Sequence, residues 1–198
     1  AEQATHILLL ISDSAIHDFY DCHFKSTDKT VIHFSGALEI PGIIGIHPLM
    51  TFGHELYDLS FYEQIPFVTT VAGSSLPGLR NQVYQIKKED KAYYHALCVI
   101  GGNLTSLLTS KIRNGMMELG LPENISKPFV QKSIENVYSN PKGFFTGPLA
   151  RKDVVTIQRN LSSLQNDPYQ NIYKAFLNLT IPEFLDKNKE GVNENTRL

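Results

Sequence analysis

The sequence predicts an α/β part followed by an all-helical part. Three observations carry that division. Between Thr5 and Ala72 lie four short apolar runs closed by glycine, proline or small polar residues, the mark of buried strands. The turn-rich stretch Gly73-Ser-Ser-Leu-Pro-Gly78 then interrupts the pattern. From Lys91 onward, apolar residues recur at three- and four-residue steps, which is the period of helices.

The elements follow in order. Residues 5–12 form a continuous apolar run closed by Asp13 and Ser14, and read as a strand buried on both faces. Asp13 or Ser14 then caps a helix that begins near Ala15 and carries Ile16, Phe19 and Tyr20 on one side. Further strands are expected at residues 30–35, ending in Gly36, at 42–47, ending in Pro48, and at 66–72. Four such strands and a helix after the first make part of an α/β sheet. In the second half, Tyr94, Leu97, Cys98, Gly101, Leu104, Leu107, Leu108 and Ile112 mark one long amphipathic helix, ended by Gly120-Leu-Pro122. A second helix is expected at 125–138, a loop at 140–148 and a third helix at 153–164. A fourth starts at Asp167 or Pro168 and runs through Leu177, and the polar tail after Lys187 is expected to fray. The domains are therefore residues 1–78 and 79–198.

Bulk composition narrows the function classes. The 198 residues suffice for one large domain or two small ones, and 42% hydrophobic with 19% charged residues is ordinary for a globular protein. A formal net charge of −2 offers no attraction to a phosphate backbone, so no nucleic-acid partner is expected. The run Lys87-Lys-Glu-Asp-Lys91 is mixed in sign and reads as a solvated helix start. Cys22 and Cys98 make no disulfide framework and lack metal-ligand spacing. They read as free thiols in a reducing cytoplasm, with Cys98 a small buried hydrophobe. No basic segment precedes the apolar run at 7–11, which is too short for a signal peptide or a membrane span, so no membrane partner is expected. Histidines are plentiful, but none pairs at i,i+4 around a glutamate, so no metal site is expected.

A few residues have the chemistry and position for a site. His47 falls at the carboxyl end of a predicted buried strand, where α/β sheets place ligand contacts, and Pro48 fixes the direction of the following loop. An imidazole there can exchange a proton with a hydroxyl being oxidised to a carbonyl, or can simply cap the strand end. Ser35 offers a hydroxyl to a reacting oxygen, and Gly36 permits close backbone approach. His33 reads as a satisfied core residue. His95 and Asn103, eight residues apart on the long helix, share one broad side at a rise of about 12 Å and a rotation of roughly 80°. A buried His95 bonded to a backbone carbonyl is the competing reading. Asp153 is placed to cap its helix, and Arg151 can fork onto a carboxylate or phosphate, or pair with Asp153 to fix the loop.

Three segments, His47-Pro-Leu-Met-Thr-Phe52, Tyr94-His95 and Thr146-Gly-Pro-Leu-Ala-Arg-Lys-Asp153, resemble in this order one particular family. That family has a Rossmann-like N-terminal domain followed by a helical C-terminal domain of unknown function, and is kin to 6-phosphogluconate and prephenate dehydrogenases. The resemblance covers residues 4–177. It implies a Rossmann-like sheet, an all-α domain like the C-terminal domain of 6-phosphogluconate dehydrogenase, and an inter-domain cleft. There a hydride would pass between NADP or NAD and a small hydroxy- or keto-type substrate. It also implies roles: His47, Ser35 and His95 catalytic, Gly36, Asn103 and Arg151 on the substrate, and Ser12 and Asp13 on the cofactor. His47-Pro48 resembles the His-Pro-Met element of prephenate dehydrogenases, with Leu49 in place of methionine. Related dehydrogenases often carry a lysine on the long helix; none stands there before Lys111, so His95 is expected to take its part. A glycine-rich dinucleotide fingerprint is absent, and the first strand-turn-helix units are expected upstream of Ala1. The resemblance further implies a homodimer formed by the helical part. The alternative is a non-catalytic binding or assembly protein that has lost cofactor binding.

Overall fold

The computed structural model describes residues 3–181, and the chain divides into two compact units, Ala1–Gly120 and Leu121–Leu198. The tail expected after Lys187 lies outside the described residues.

The first unit holds the sheet. Strand β1 (His6–Leu9) leads into helix α1 (Asp13–His23), followed by β2 (Thr30–His33) and β3 (Ile44–Pro48). A short helix α2 (Leu59–Tyr62) precedes β4 (Phe67–Thr69) and β5 (Val83–Gln85). The five strands lie in chain order, with β1, β2 and β3 parallel, β4 antiparallel to β3, and β5 parallel to β4. Alternation along β2 explains the two-sided core. Val31 packs with Leu9, Ile16, Tyr20, Ile40 and Ile43 on one face, while Ile32 packs with Ile46, Phe67 and Leu76 on the other. Burying Ile46, which has no exposed surface, contributes about 1.5–3 kcal/mol.

The sheet departs from expectation in two places. Residues 5–12 are not buried on both faces: Leu8 is 45% and Leu10 is 77% exposed, because β1 is an edge strand with β2 as its only neighbour among the described residues. The fifth strand was not anticipated, since Val83-Tyr-Gln is too short to display a period of two. The helix after β1 also starts earlier than Ala15, with Ser12 as its cap.

A single 3₁₀ turn (Lys88–Asp90) opens the long helical run of this unit. The run is α3 (Lys91–Val99), a π-helical turn (Ile100–Leu104) and α4 (Thr105–Glu118). It is therefore one helix with a wide turn in the middle. Its inward side carries Lys91, Tyr94, His95 and Cys98, whereas Leu97, Ile100, Leu104 and Leu107 are exposed. Much of the expected apolar stripe points outward, because the inward positions are given to polar groups.

The second unit is helical, as expected: α5 (Lys127–Ser139), α6 (Gly147–Ala150), α7 (Val154–Ser163) and α8 (Tyr169–Thr180). Its core joins Ile157 and Leu161 of α7 to Leu177 of α8. Asp153 caps α7, accepting hydrogen bonds from the Thr156 N–H at 3.0 Å and the Thr156 hydroxyl at 2.8 Å. The short α6 occupies part of the expected loop, with Gly147 at φ 65° supplying the turn that enters it.

Candidate active site at the strand ends

Because β1, β2 and β3 are parallel, their carboxyl ends open on one side of the sheet, bringing Ser12 and Asp13, Ser35 and Gly36, and His47 into one neighbourhood. The Ser35 hydroxyl donates to Asp13 Oδ2 at 2.5 Å and accepts from the N–H groups of Ala37 and Leu38. One donor and two lone pairs are thus all in use. Ser35 holds the turn after β2 rather than presenting a free hydroxyl. Ser12 makes no side-chain cap bond to α1.

His47 is half-buried, and its Nδ1 lies 2.7 Å from the Tyr94 hydroxyl. Its ring meets that of His95 edge to face at 6.0 Å between centroids. Gly36 makes this meeting possible. A Cβ there would collide with His95 Cδ2 and lie 3.0 Å from His47 Nε2. Two imidazoles make a close approach to the backbone at Gly36. Gly36→Ala is expected to force both rings apart at a cost of about 1–3 kcal/mol. A thermal melt would measure the loss, and imidazole ¹⁵N shifts would report whether the His47–Tyr94 bond survives.

Burial, then His95 and Lys91, pull the His47 imidazole down to about 4, with Asp13 opposing them. Burial and the neighbouring Cys98 push the Tyr94 phenol up, so it keeps its proton. One hydrogen consequently lies between Nδ1 and the phenolic oxygen. With it on Nδ1, Nε2 offers a lone pair and can take a proton; with it on the phenol, Nε2 carries a hydrogen and can donate. The pair can serve either direction of a carbonyl–alcohol interconversion.

Behind this pair lies a cluster that the sequence did not reveal. Lys91 is only 3% exposed, so it is not a solvated helix start. Its ammonium donates to the Leu38 carbonyl and pairs with Glu39 at 2.8 Å, and Thr70 donates to the same carboxylate oxygen at 2.9 Å. His33 is paired in register with Gly45, whose missing side chain leaves room for both groups. A Cβ at Gly45 would stand 2.5 Å from Lys91 Nζ and 2.9 Å from His33 Nε2. His33 is half-satisfied: Nδ1 accepts from the Ser35 N–H at 3.2 Å, and Nε2 is buried with no partner. The spacing of Lys91, Tyr94, His95 and Cys98 at i, i+3, i+4 and i+7 was the available signal, a polar stripe on one helical face.

A cavity of about 600 Å³ opens beside His47, walled by the loop after β3 and by the long helix from Tyr94 to Ser106. Asn103 lines it together with His95. In a regular helix the two would be offset, but the extra residue in the π turn swings Asn103 back toward the His95 side. Cys98, expected to be a buried hydrophobe, lines the same cavity half-buried, and Cys22 is exposed. A neighbouring cavity of about 800 Å³ shares His47 and Met50 and includes Arg80 and Glu63. Among the described residues no group of three His, Cys, Asp or Glu side chains could hold a metal ion. Nor is any helix among them long and apolar enough to cross a membrane.

Residues 68–180 match the model of a domain of unknown function, DUF2520, which is more than half of the chain. The chain belongs to the DUF2520 family. No curated protein sequence matches it. Two solved structures share the fold. One is a Bacteroides fragilis protein named provisionally as an NADP oxidoreductase, with a TM-score of 0.71 and 22% identity over 87% of this chain and 73% of that one. The other is a Thermotoga maritima protein, with a TM-score of 0.69 and 20% identity over 93% of this chain and 78% of that one. The fold is accordingly a Rossmann-like sheet followed by a helical region. Arg151 of this DUF2520 protein lies in the second unit, exposed at the end of α6. The Thr156 backbone N–H, more than the Arg151 charge, holds the Asp153 carboxyl below its ordinary value.

Proposed function

We propose that this DUF2520 protein is an NAD(P)-dependent oxidoreductase acting on a small hydroxy- or keto-type substrate. The observation that carries the reading is the His47–Tyr94 pair, two neutral groups sharing one hydrogen at the carboxyl end of a parallel sheet and beside a cavity. The fold it shares with a protein named for NADP chemistry adds support.

The residues present fit the reacting end of a dinucleotide. Ser12 retains its hydroxyl for a ligand, and Asp13 Oδ1 has no partner among the described residues and can accept from a ribose hydroxyl. Bound NADP or NAD would supply the hydride acceptor or donor. His47 Nε2 takes the proton from the substrate hydroxyl during oxidation or returns it during reduction, and Tyr94 fixes the ring orientation. His95 and Asn103 form the opposite wall and orient the substrate oxygen. Ser35, tied to Asp13, holds the strand-end turn in place, and Gly36 admits the two rings. A cytoplasmic location suits two free cysteines.

The exposed row Leu97, Ile100, Leu104 and Leu107 favours pairing with a second copy. It also favours a second reading, a non-catalytic assembly protein that pairs through this face without using nucleotide. Fluorescence titration of NADPH and NADH into the full chain, with its mass measured by light scattering, separates the two. Saturable micromolar binding by a dimer supports the oxidoreductase. A dimer that leaves both nucleotides free supports the assembly protein. If nucleotide binds, His47→Ala should lower turnover by about 10²–10⁴-fold while nucleotide affinity holds. Undiminished turnover in that variant would remove His47 from the reaction.

A further inference from the structure

The cavity beside His47 lies wholly within the first unit and carries no aspartate, glutamate, lysine or arginine in its lining. Its walls are carbon-rich, from Leu49, Met50, Leu97 and Val99, and beside the imidazoles of His47 and His95 its polar groups are hydrogen-bonding ones such as Thr51 and Asn103. Of the carboxylate and ammonium charges that act on His47 from outside the lining, Lys91 is held by Glu39 and the Leu38 carbonyl, and Asp13 is itself an anion that an acid would avoid. Arg80 and Glu63 line the neighbouring cavity.

We propose that this cavity selects an uncharged, largely apolar alcohol or ketone and discriminates against hydroxy acids. The inference rests on the oxidoreductase reading and narrows its substrate class. A carboxylate entering these walls would give up its hydration with no lysine or arginine to meet it, whereas a hydroxyl or carbonyl finds His47 and Asn103. Burial acts in the same direction on His47, which is held neutral near pH 7 and so offers no positive charge to an acid. A volume of about 600 Å³ suits a compact organic molecule carrying one ring or a branched chain.

Two probes test this, methyl phenyl carbinol and mandelate, which differ only in a methyl against a carboxylate. Each is titrated into the full chain without nucleotide, following the NMR signals of Met50 and Leu97. The carbinol is expected to shift both signals and to bind at least about tenfold more tightly than mandelate. Gly102→Leu fills open space on the cavity wall and improves helix propensity, so it should fold and abolish carbinol binding. Leu97→Arg, at a half-exposed position, should shift the preference toward mandelate. Mandelate binding as tightly as the carbinol, neither probe reaching the cavity, or carbinol binding untouched by Gly102→Leu would each overturn the proposal. Because no nucleotide is present, a chain that fails to transfer hydride can still pass this test, and the two readings fail separately.

Discussion

Glu39→Ala is expected to destabilise the protein by about 3–5 kcal/mol in urea unfolding. Lys91 is 3% exposed, so removing its carboxylate partner leaves an ammonium buried with only the Leu38 carbonyl to accept from it. Thr70 loses its acceptor at the same time. Burial alone would raise the Glu39 carboxyl, yet the hydrogen bonds from Lys91 and Thr70 outweigh it and hold that group below its ordinary value. The double variant Glu39→Ala with Lys91→Met should regain most of the loss, because both halves of the pair leave together. A single-variant cost below about 1 kcal/mol would place the pair among exposed salt bridges and sink the argument.

Acid is expected to weaken the fold between about pH 6.5 and about pH 4, before most carboxylates titrate. Burial, with Lys91 adding to it, pulls His33 down to about 4, and His47 is lowered to the same region. In that window the unfolded chain binds protons at these imidazoles that the folded chain refuses, so stability falls as pH falls. Above about pH 6.5 both states leave the rings neutral, and the contribution is fully present. For His33, at 1% exposure, the loss across the window is roughly 3 kcal/mol, at about 1.4 kcal/mol per pH unit. His33→Asn retains an acceptor for the Ser35 N–H and removes the titrating ring. Urea unfolding at several pH values should therefore show a shallower slope in this variant. An unchanged slope would show that His33 is not among the groups that protonate on unfolding.

Long apolar runs and helical periodicity were legible because each reports burial directly. The strands around Val31, Ile46 and Phe67, and the helices carrying Ile157 and Leu177, follow from that signal. His47 was legible for a related reason, since a buried strand and a proline bracket it. Lys91 was not. A charge run usually means solvent, and nothing local distinguishes the one lysine that turns inward to meet a carboxylate 52 positions earlier in the chain. For Ser35 the sequence showed the position but not the partners: the hydroxyl donates to Asp13 and accepts from two backbone N–H groups. The orientation of the long helix was hidden too, because hydrophobic spacing marks an apolar face without saying which side it packs against.

The wide turn at Ile100–Leu104 makes the long helix a shaft with a slipped coupling. Removing one residue, such as Gly101, would restore the regular winding and, because the wide turn already absorbs one extra residue, leave everything after it in its present phase relative to His95. The proton-handling end, from Lys91 to Cys98, and the mouth of the cavity at Asn103 and Ser106 would both keep their aim. A single-residue deletion, ordinarily ruinous within a helix, is therefore absorbed here, whereas regular winding with every residue kept would re-aim the mouth by about 100°.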